Sequence, residues 1–474
     1  MERLTGLDAG FLYMETPTLH MHTLKISIID PSTVPGGYSF GRVKEELGRR
    51  MHLLPPFRRR LVEVPFRLHH PVWIEDPDFD LDWHVRRVAV PAPGGKTELC
   101  ELISDIASRQ VDRSRPLWEI WVVEGLEEGH VGFVAKIHHA VADGVAAAAL
   151  LANVLIDDPE PAEPEPEKET WHADPVPSQL SLLWGAVVAL VRSLAGLPRL
   201  LGRTASGFRD VTRVRRRHAG EASAPPPPFS TPRTRFNGAL TPHRFFTATA
   251  LPLDDVKAVR RAFDTTLNDV VLAICAGALR RYLAERDELP EKPLVTGVPV
   301  GLPAGEGERR LGGNSVSNMF TSLRTDIADP VERLLAIHEV TKAAKEVHQA
   351  LGAEMLADWS EITPPRPFAW WMRFYSRRKL ADRHRPPINL VISNVPGPTA
   401  PLYIACARLV ELYSMGPVLE GIGLNITAWS YLDKLELGVV ACREVMPDLW
   451  ELSNGMRDAL SELRKAAAAP EASR

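Results

Sequence analysis

The sequence predicts an α/β (α+β) protein built as two packed lobes. Three observations carry that expectation. Strand-like and helix-like segments are mixed in similar amounts in both halves of the chain. Two proline-rich runs, 157–169 and 222–228, stand between those halves. The first half ends in an apolar run (131–137), two histidines and an Ala-rich apolar run (145–155), which reads as strand, connection and buried helix. The 474 residues suggest two or three domains with ample core. The expected division is a first lobe at 1–157, an intervening segment at 158–233 and a second lobe at 234–474.

The elements follow in order. Residues 7–15 form a short apolar turn or helix ending in the carboxylate of Glu15. Strands are expected at 24–29, 61–64 and 85–90, and helices at 43–53 and 99–111. Pro116 opens a β-prone run to 123. The acidic, proline-rich 157–169 cannot bury apolar surface and reads as a linker. In the second half, strands are expected at 244–251, 294–300, 314–323, 388–393, 409–415, 424–431 and 435–442. Helices are expected at 254–262, 266–285, 331–351, 367–381 and 446–466. Thr266 with Asp269 three residues on resembles a capping box, so the second of these starts there.

Composition removes several function classes. Hydrophobic residues at 45% and charged residues at 24% suit an ordinary soluble globular protein, and a net charge of -4 makes no case for nucleic acid. The start, Met1-Glu2-Arg3-Leu4, lacks a basic and then apolar leader, so export is not expected. Cys100, Cys275, Cys406 and Cys442 are far apart, with no Cys-x-x-Cys. Free thiols in a cytoplasmic protein fit better than a zinc site or a disulfide frame.

The chemistry centres on Ile137-His138-His139-Ala140-Val141-Ala142-Asp143-Gly144. A strand-to-helix connection can hold a side chain out at reacting atoms. Imidazole changes charge near neutral pH, which suits a general base. Neighbouring strand residues face opposite ways, so His138 and His139 cannot do the same job. One faces the site, and the other packs or hydrogen-bonds beneath it. Asp143 can orient an imidazole or pair with an arginine, and Gly144 permits a tight helix start. The plainer alternative is a satisfied core His pair before a helix cap; the fixed Asp-Gly offset weighs against it. A metal is not expected, because His-Glu-x-x-His is absent and adjacent strand residues face one ion poorly.

Other stretches narrow this reading. They are Leu7-Asp8 with Phe11-Leu12 and Glu15, Pro116-Leu117-Trp118-Glu119, and Asn268-Asp269-Val270-Val271-Leu272-Ala273. Ser393-Asn394-Val395-Pro396-Gly397-Pro398 and Gly423-Leu424-Asn425-Ile426 complete the set. With the His motif, they make the chain resemble the bacterial wax ester synthase/diacylglycerol acyltransferases over nearly its whole length. The His motif alone is shared with chloramphenicol acetyltransferase, carnitine acyltransferases and peptide-synthetase condensation domains. The resemblance implies two chloramphenicol acetyltransferase-like lobes with the active site in a channel between them. It implies that acyl-CoA, a co-substrate with no further cofactor, esterifies diacylglycerol to triacylglycerol or a long-chain alcohol to wax ester. One departure is Gly6-Leu7 where the family usually has Ser-Pro, which bears on the acceptor side.

A thioester is already activated, so an ester can form without a covalent enzyme nucleophile, and no Gly-x-Ser-x-Gly elbow is present. Following the family's second His, His139 is assigned as the base. Asp143 takes an orienting or salt-bridge role that calls for an arginine partner. Asn268, in a first helical turn, either steadies the oxyanion or is a plain helix-start Asn. Trp118 is either core packing or a substrate contact. Glu15 is exposed by default and, with Asn394, becomes a substrate-binding candidate through the resemblance. Pro396-Gly397 favours a type II turn at the channel mouth. Arg377, beside Arg373, Arg378 and Lys379 on a Trp-rich helix, matches the phosphates of CoA, or lies on a solvated face. Two other functions fit the chain: a carrier-protein-dependent condensation-type acyltransferase, and a non-catalytic lipid-binding homologue.

The middle segment bears on location. The apolar run 180–191 is shorter than the ~20 residues a membrane span needs. Arg199, Arg203, Arg209, Arg213, Arg215, Arg216 and Arg217 follow it, and Pro198 is expected to break or kink the helix. This composition suits a segment lying on an anionic membrane or lipid-droplet surface, which gives a cytoplasmic, peripherally associated protein. The alternative is a helix packed on the first lobe with solvated arginines.

Overall fold

The computed structural model describes residues 1–142, 175–218, 230–301, 313–314, 316–351 and 355–468, with isolated positions in the intervening stretches. The expected linker at 157–169 lies outside the described residues.

The chain begins with β1 (Glu2–Arg3), α1 (Gly6–Met14), β2 (His22–Asp30) and α2 (Phe40–Arg50). Next come β3 (Arg59–Val62), β4 (Val72–Glu75), α3 (Leu81–His84), β5 (Val85–Ala89) and α4 (Lys96–Ala107). β6 (Trp118–Glu124) and β7 (Val131–His138) lead to the His motif. The long helix α5 (Gln179–Arg217) precedes β8 (Arg244–Pro252), α6 (Leu253–Ala262), α7 (Leu267–Ala284), β9 (Val295–Gly301) and β10 (Val316–Ser322). Then follow α8 (Pro330–Leu351), α9 (Met355–Ser360), α10 (Pro365–Arg377), β11 (Leu390–Val395), β12 (Tyr403–Ile404) and β13 (Ala407–Met415). β14 (Leu424–Tyr431), β15 (Lys434–Cys442) and α11 (Leu449–Ala468) end the described chain.

Two six-stranded sheets carry the lobes. The first runs β12-β13-β2-β7-β6-β5, the second β10-β9-β11-β14-β15-β8, and a small sheet β1-β4-β3 sits apart. All eight residues of β7 are buried, since layers cover both faces of its sheet. The capping box at Thr266 forms: its Oγ1 accepts from the Asp269 N–H at 3.2 Å, and Asp269 Oδ2 accepts from the Thr266 N–H at 2.9 Å. The helix α7 that it starts is apolar nearly all round and forms the middle of the second lobe's core.

Lobe and chain half do not coincide. The expected division gave everything after 234 to the second lobe, but β12 and β13 join the first sheet, where β13 pairs antiparallel with β2. That pairing covers an edge that β2 would otherwise expose. The sheets meet where β15 passes β13. A Cβ on Gly438 would stand 2.1 Å from the Ser414 carbonyl oxygen, so only glycine permits the approach.

Two local expectations fail. Pro198 does not break α5, which runs unbroken for 39 residues. The carbonyl that loses its partner belongs to half-exposed Leu194, on a side open to solvent. Gly397 has no positive φ, so Pro396-Gly397 is not a type II turn. Its role is close approach: a Cβ there would lie 1.9 Å from the Ser430 carbonyl oxygen.

Candidate active site

β7 delivers both histidines, and pleating separates them. His138 is wholly buried on the face that also carries Lys136. Its Nδ1 accepts from the Ala140 N–H at 3.0 Å, which leaves the proton on Nε2 in the neutral ring. Nε2 points at Glu15 Oε2 from 3.7 Å, an electrostatic contact longer than a hydrogen bond. Burial lowers the His138 pKa, and Glu15 opposes that shift. Glu15 itself is gripped by Arg113, whose Nε donates to Oε2 at 2.8 Å. Burial acts to raise the Glu15 carboxyl, but His138 and Arg113 outweigh it and hold the pKa at about 2. Below them Lys136 Nζ donates to the carbonyls of Ile106 (3.1 Å) and Arg109 (2.5 Å), at and just beyond the C-terminal end of α4. A helix C-terminus favours a cation, while burial lowers the lysine to about 8.

His139 is set differently. Its ring lies against Phe11 with centroids 4.3 Å apart. Its N–H donates to the Met21 carbonyl at 2.7 Å, and its carbonyl accepts from Asn314 Nδ2 at 2.7 Å. The same Nδ2 donates to Asp8 Oδ1 at 2.7 Å. Both partners are acceptors, so the amide orientation is determined. Asp8 is held in turn by Thr5, whose Oγ1 donates to Oδ2 at 2.7 Å as it caps α1. Gly313 N–H donates to the Val141 carbonyl at 2.9 Å, and Gly313 bridges to Ala142. Residues leading into the second sheet therefore fasten the turn that carries His139. The His motif sits at the seam between the lobes.

Carried one residue past the strand, alternation puts Phe133, Ala135, Ile137 and His139 on one face. Phe133 and Ala135 line an apolar cavity of about 60 Å³ there, with Leu47, Leu54, Phe57 and Ile120.

The other expected residues scatter. Glu15 was expected to be exposed; it is 7% exposed, its Oε2 paired with Arg113 and facing His138. Trp118 is core: its Nε1 donates to the Phe57 carbonyl at 2.7 Å, and its ring stacks on Phe57 and His84. Asn268 stands in the first turn of α7, with no hydrogen bond to the His motif among the described residues. Asp269 does more than cap, since His338 Nδ1 meets its Oδ2 at 2.6 Å. Asn394 lies in β11 opposite Ala428 of β14. Arg377 is exposed at the end of α10, next to Ser376, whose Oγ lies 2.7 Å from Thr18 Oγ1. Asp143 and Gly144 lie outside the described residues; of the run after them, Ala146 and Leu150 are helical and buried. The Gly6 departure has a packing reason. A Cβ there would stand 2.3 Å from the Glu361 nitrogen, so α1 meets the end of α9 only through glycine.

Asn314, Asp8 and Arg113 escaped sequence reasoning as site residues. Asn314 and Asp8 are 306 positions apart, and no local pattern joins them. Asp8 did carry a signal, the run Leu7-Asp8 ahead of Phe11.

The fold has solved relatives. The starter condensation domain of rhizomide synthetase matches 99% of this chain and 94% of that domain at a TM-score of 0.57 and 14% identity, a likeness of fold alone. That likeness gives the fold its class, two α/β lobes that meet at a histidine pair. Residues 4–271 match the wax ester synthase/diacylglycerol acyltransferase catalytic domain, and 312–464 match the WS/DGAT C-terminal domain. Two Mycobacterium tuberculosis proteins provisionally named diacylglycerol O-acyltransferases are similar. One is 40% identical over 98% of this chain and 90% of its own length, the other 39% over 98% and 97%. The Marinobacter aquaeolei wax ester synthase/diacylglycerol acyltransferase matches 99% of this chain and all of that one, at a TM-score of 0.69 and 29% identity. The chain belongs to the wax ester synthase/diacylglycerol acyltransferase family.

Proposed function

We propose that the protein moves a fatty acyl group from acyl-CoA to the hydroxyl of diacylglycerol or a long-chain alcohol, with His139 as general base. His139 takes the hydroxyl proton as the oxygen attacks the thioester carbon. The tetrahedral carbon then expels the thiolate, and the proton passes to sulfur, giving ester and free CoA. No acyl-enzyme forms, and no metal or cofactor takes part. One observation supports the choice of histidine above the rest: His138 is sealed and committed to Ala140 and Glu15, whereas His139 stands at the seam. Substrates of this kind sit in lipid, so the protein works peripherally, from the cytoplasm, at a membrane or droplet surface.

The test is purified protein with labelled palmitoyl-CoA and diacylglycerol, hexadecanol and carrier-bound acyl groups in parallel. Ester from palmitoyl-CoA is expected, and EDTA is expected to leave its rate unchanged. Transfer only from a carrier protein would establish the condensation-type alternative. Loss with EDTA and recovery with zinc would overturn the metal-free mechanism.

A further inference from the structure

The helix α5 leaves one face to solvent along its whole length. Leu180, Val187, Leu194, Leu201 and Phe208 fall seven residues apart, with Trp184 and Val191 between them. That spacing makes a single stripe on a helix. Its members are large apolar side chains between 45% and 78% exposed, a patch soluble proteins rarely present without a use. The opposite face is fastened to the body. Leu182 packs on Val72 and Ile74 of the small sheet. Further along, Arg203 meets Asp358 at 2.7 Å, and Trp359 Nε1 donates to Thr204 Oγ1 at 3.0 Å. At Gly207 a Cβ would come within 3.1 Å of the Leu351 carbonyl oxygen, and His218 meets Glu346 at 3.2 Å. By length and composition this helix could cross a bilayer, against the expectation from the 180–191 run alone. Its contacts with the small sheet and with α8 and α9 favour the surface geometry, because a crossing helix would have to give them up.

Charge identifies what the stripe meets. The helix holds eight arginines against the single acid Asp210, with Arg209, Arg213, Arg216 and Arg217 exposed near its C-terminal end. Arginine forks match phosphate oxygens, and an apolar stripe beside them matches the acyl boundary beneath. We propose that α5 is a docking strap that lies flat on an anionic phospholipid bilayer, stripe inward, and holds the seam of the lobes at the lipid surface. Its purpose rests on the lipid-substrate reading above; its test does not.

The experiment is flotation of the full chain with vesicles of phosphatidylcholine alone or with phosphatidylglycerol, at low and high salt. The wild type is expected to float with anionic vesicles and to be released by salt. Trp184→Glu with Val191→Glu should lower partition at least tenfold. Each exposed arginine changed to Gln should lower it about fivefold at low salt. Melting temperature checks the fold, and Leu201→Glu with Phe208→Glu serves if the first pair does not fold. Equal flotation of wild type and folded variants overturns the proposal. So does a wild type that stays with the lipid through alkaline carbonate, or one that forms a dimer which Trp184→Glu dissolves. Flotation without acyl transfer would count against the function proposed above and leave this one standing.

Discussion

The two faces of β7 end in the same side chain and do opposite things with it. On one face, Lys136, His138 and Glu15 form a polar layer buried inside the first lobe, with Arg113 reaching Glu15 from its exposed rim. The charges there are matched in place: Lys136 on helix-end carbonyls, Glu15 between an arginine and an imidazole. On the other face, His139 has an aromatic ring beside it and an amide from the second half of the chain on its carbonyl. One layer makes the turn rigid; the other presents a base where the lobes meet.

The largest expected effect breaks the open face. His139→Ala should lower turnover by ~10²–10⁴ with the melting temperature little changed. A folded His139→Ala protein with near-normal turnover would end the comparison. His138→Ala should instead lower yield and stability, because it leaves the Glu15 carboxylate one buried partner short.

A smaller loss is expected from the tether across the seam. Asn314→Ala removes the amide's bonds to the His139 carbonyl and to Asp8 together, so the turn can shift. A displacement near 1 Å can cost up to ~10²-fold, so a drop of about 10- to 100-fold in kcat with KM little changed is expected. Asn314→Gln should recover only part of it. A change confined to KM would make Asn314 a binding residue and not a positioning one.

How much of this was legible follows from where each partner lies in the chain. The His pair was legible because its chemistry sits in eight consecutive residues after a strand. Pleating alone said that the two histidines part ways; which of them is buried came from the resemblance, with no knowledge of Glu15. The burial of Glu15 was not legible: a carboxylate defaults to the surface until its cation is known, and Arg113 lies 98 positions away. The β13 crossover was hidden for the same reason, since a strand's sequence shows its faces and not its sheet. At Pro198, tertiary contacts on both sides of the residue outweighed a local propensity. Asp143 and Gly144 keep the standing their motif gives them.

The closed face should announce itself in acid. The Glu15 pKa, about 2, lies below its ordinary 4.5, so its pairing stabilises the fold above that ordinary value and is lost as pH falls toward 2. Wild-type stability should therefore fall between these limits, and Arg113→Ala should flatten the slope in urea titrations taken across them. An unchanged slope would mean that Arg113 does not set the charge of Glu15.

The smallest expected effect, and of opposite sign, comes from a buried carboxylate that forms no ion pair among the described residues. Glu436 lies on β15 at the other contact between the sheets; its Oε2 accepts from the Leu412 N–H of β13 at 2.6 Å. Burial raises its pKa to about 8, the backbone bond pulls it down, and nearby Glu411 adds to the rise. The folded group thus holds a proton that the unfolded chain releases near 4.5. Its neutral form stabilises the fold below that pH, and the benefit is lost as pH climbs toward 8, the reverse of Glu15. Glu436→Gln keeps an oxygen for Leu412 and removes the titration, so it should raise the melting temperature by a few degrees at pH 8 and hardly at pH 5. An equal gain at both would trace the effect to packing. No gain would mean that Glu436 is ionised where it stands, with charge compensation like that of Glu15, and the contrast between paired and unpaired carboxylates would fail at this seam.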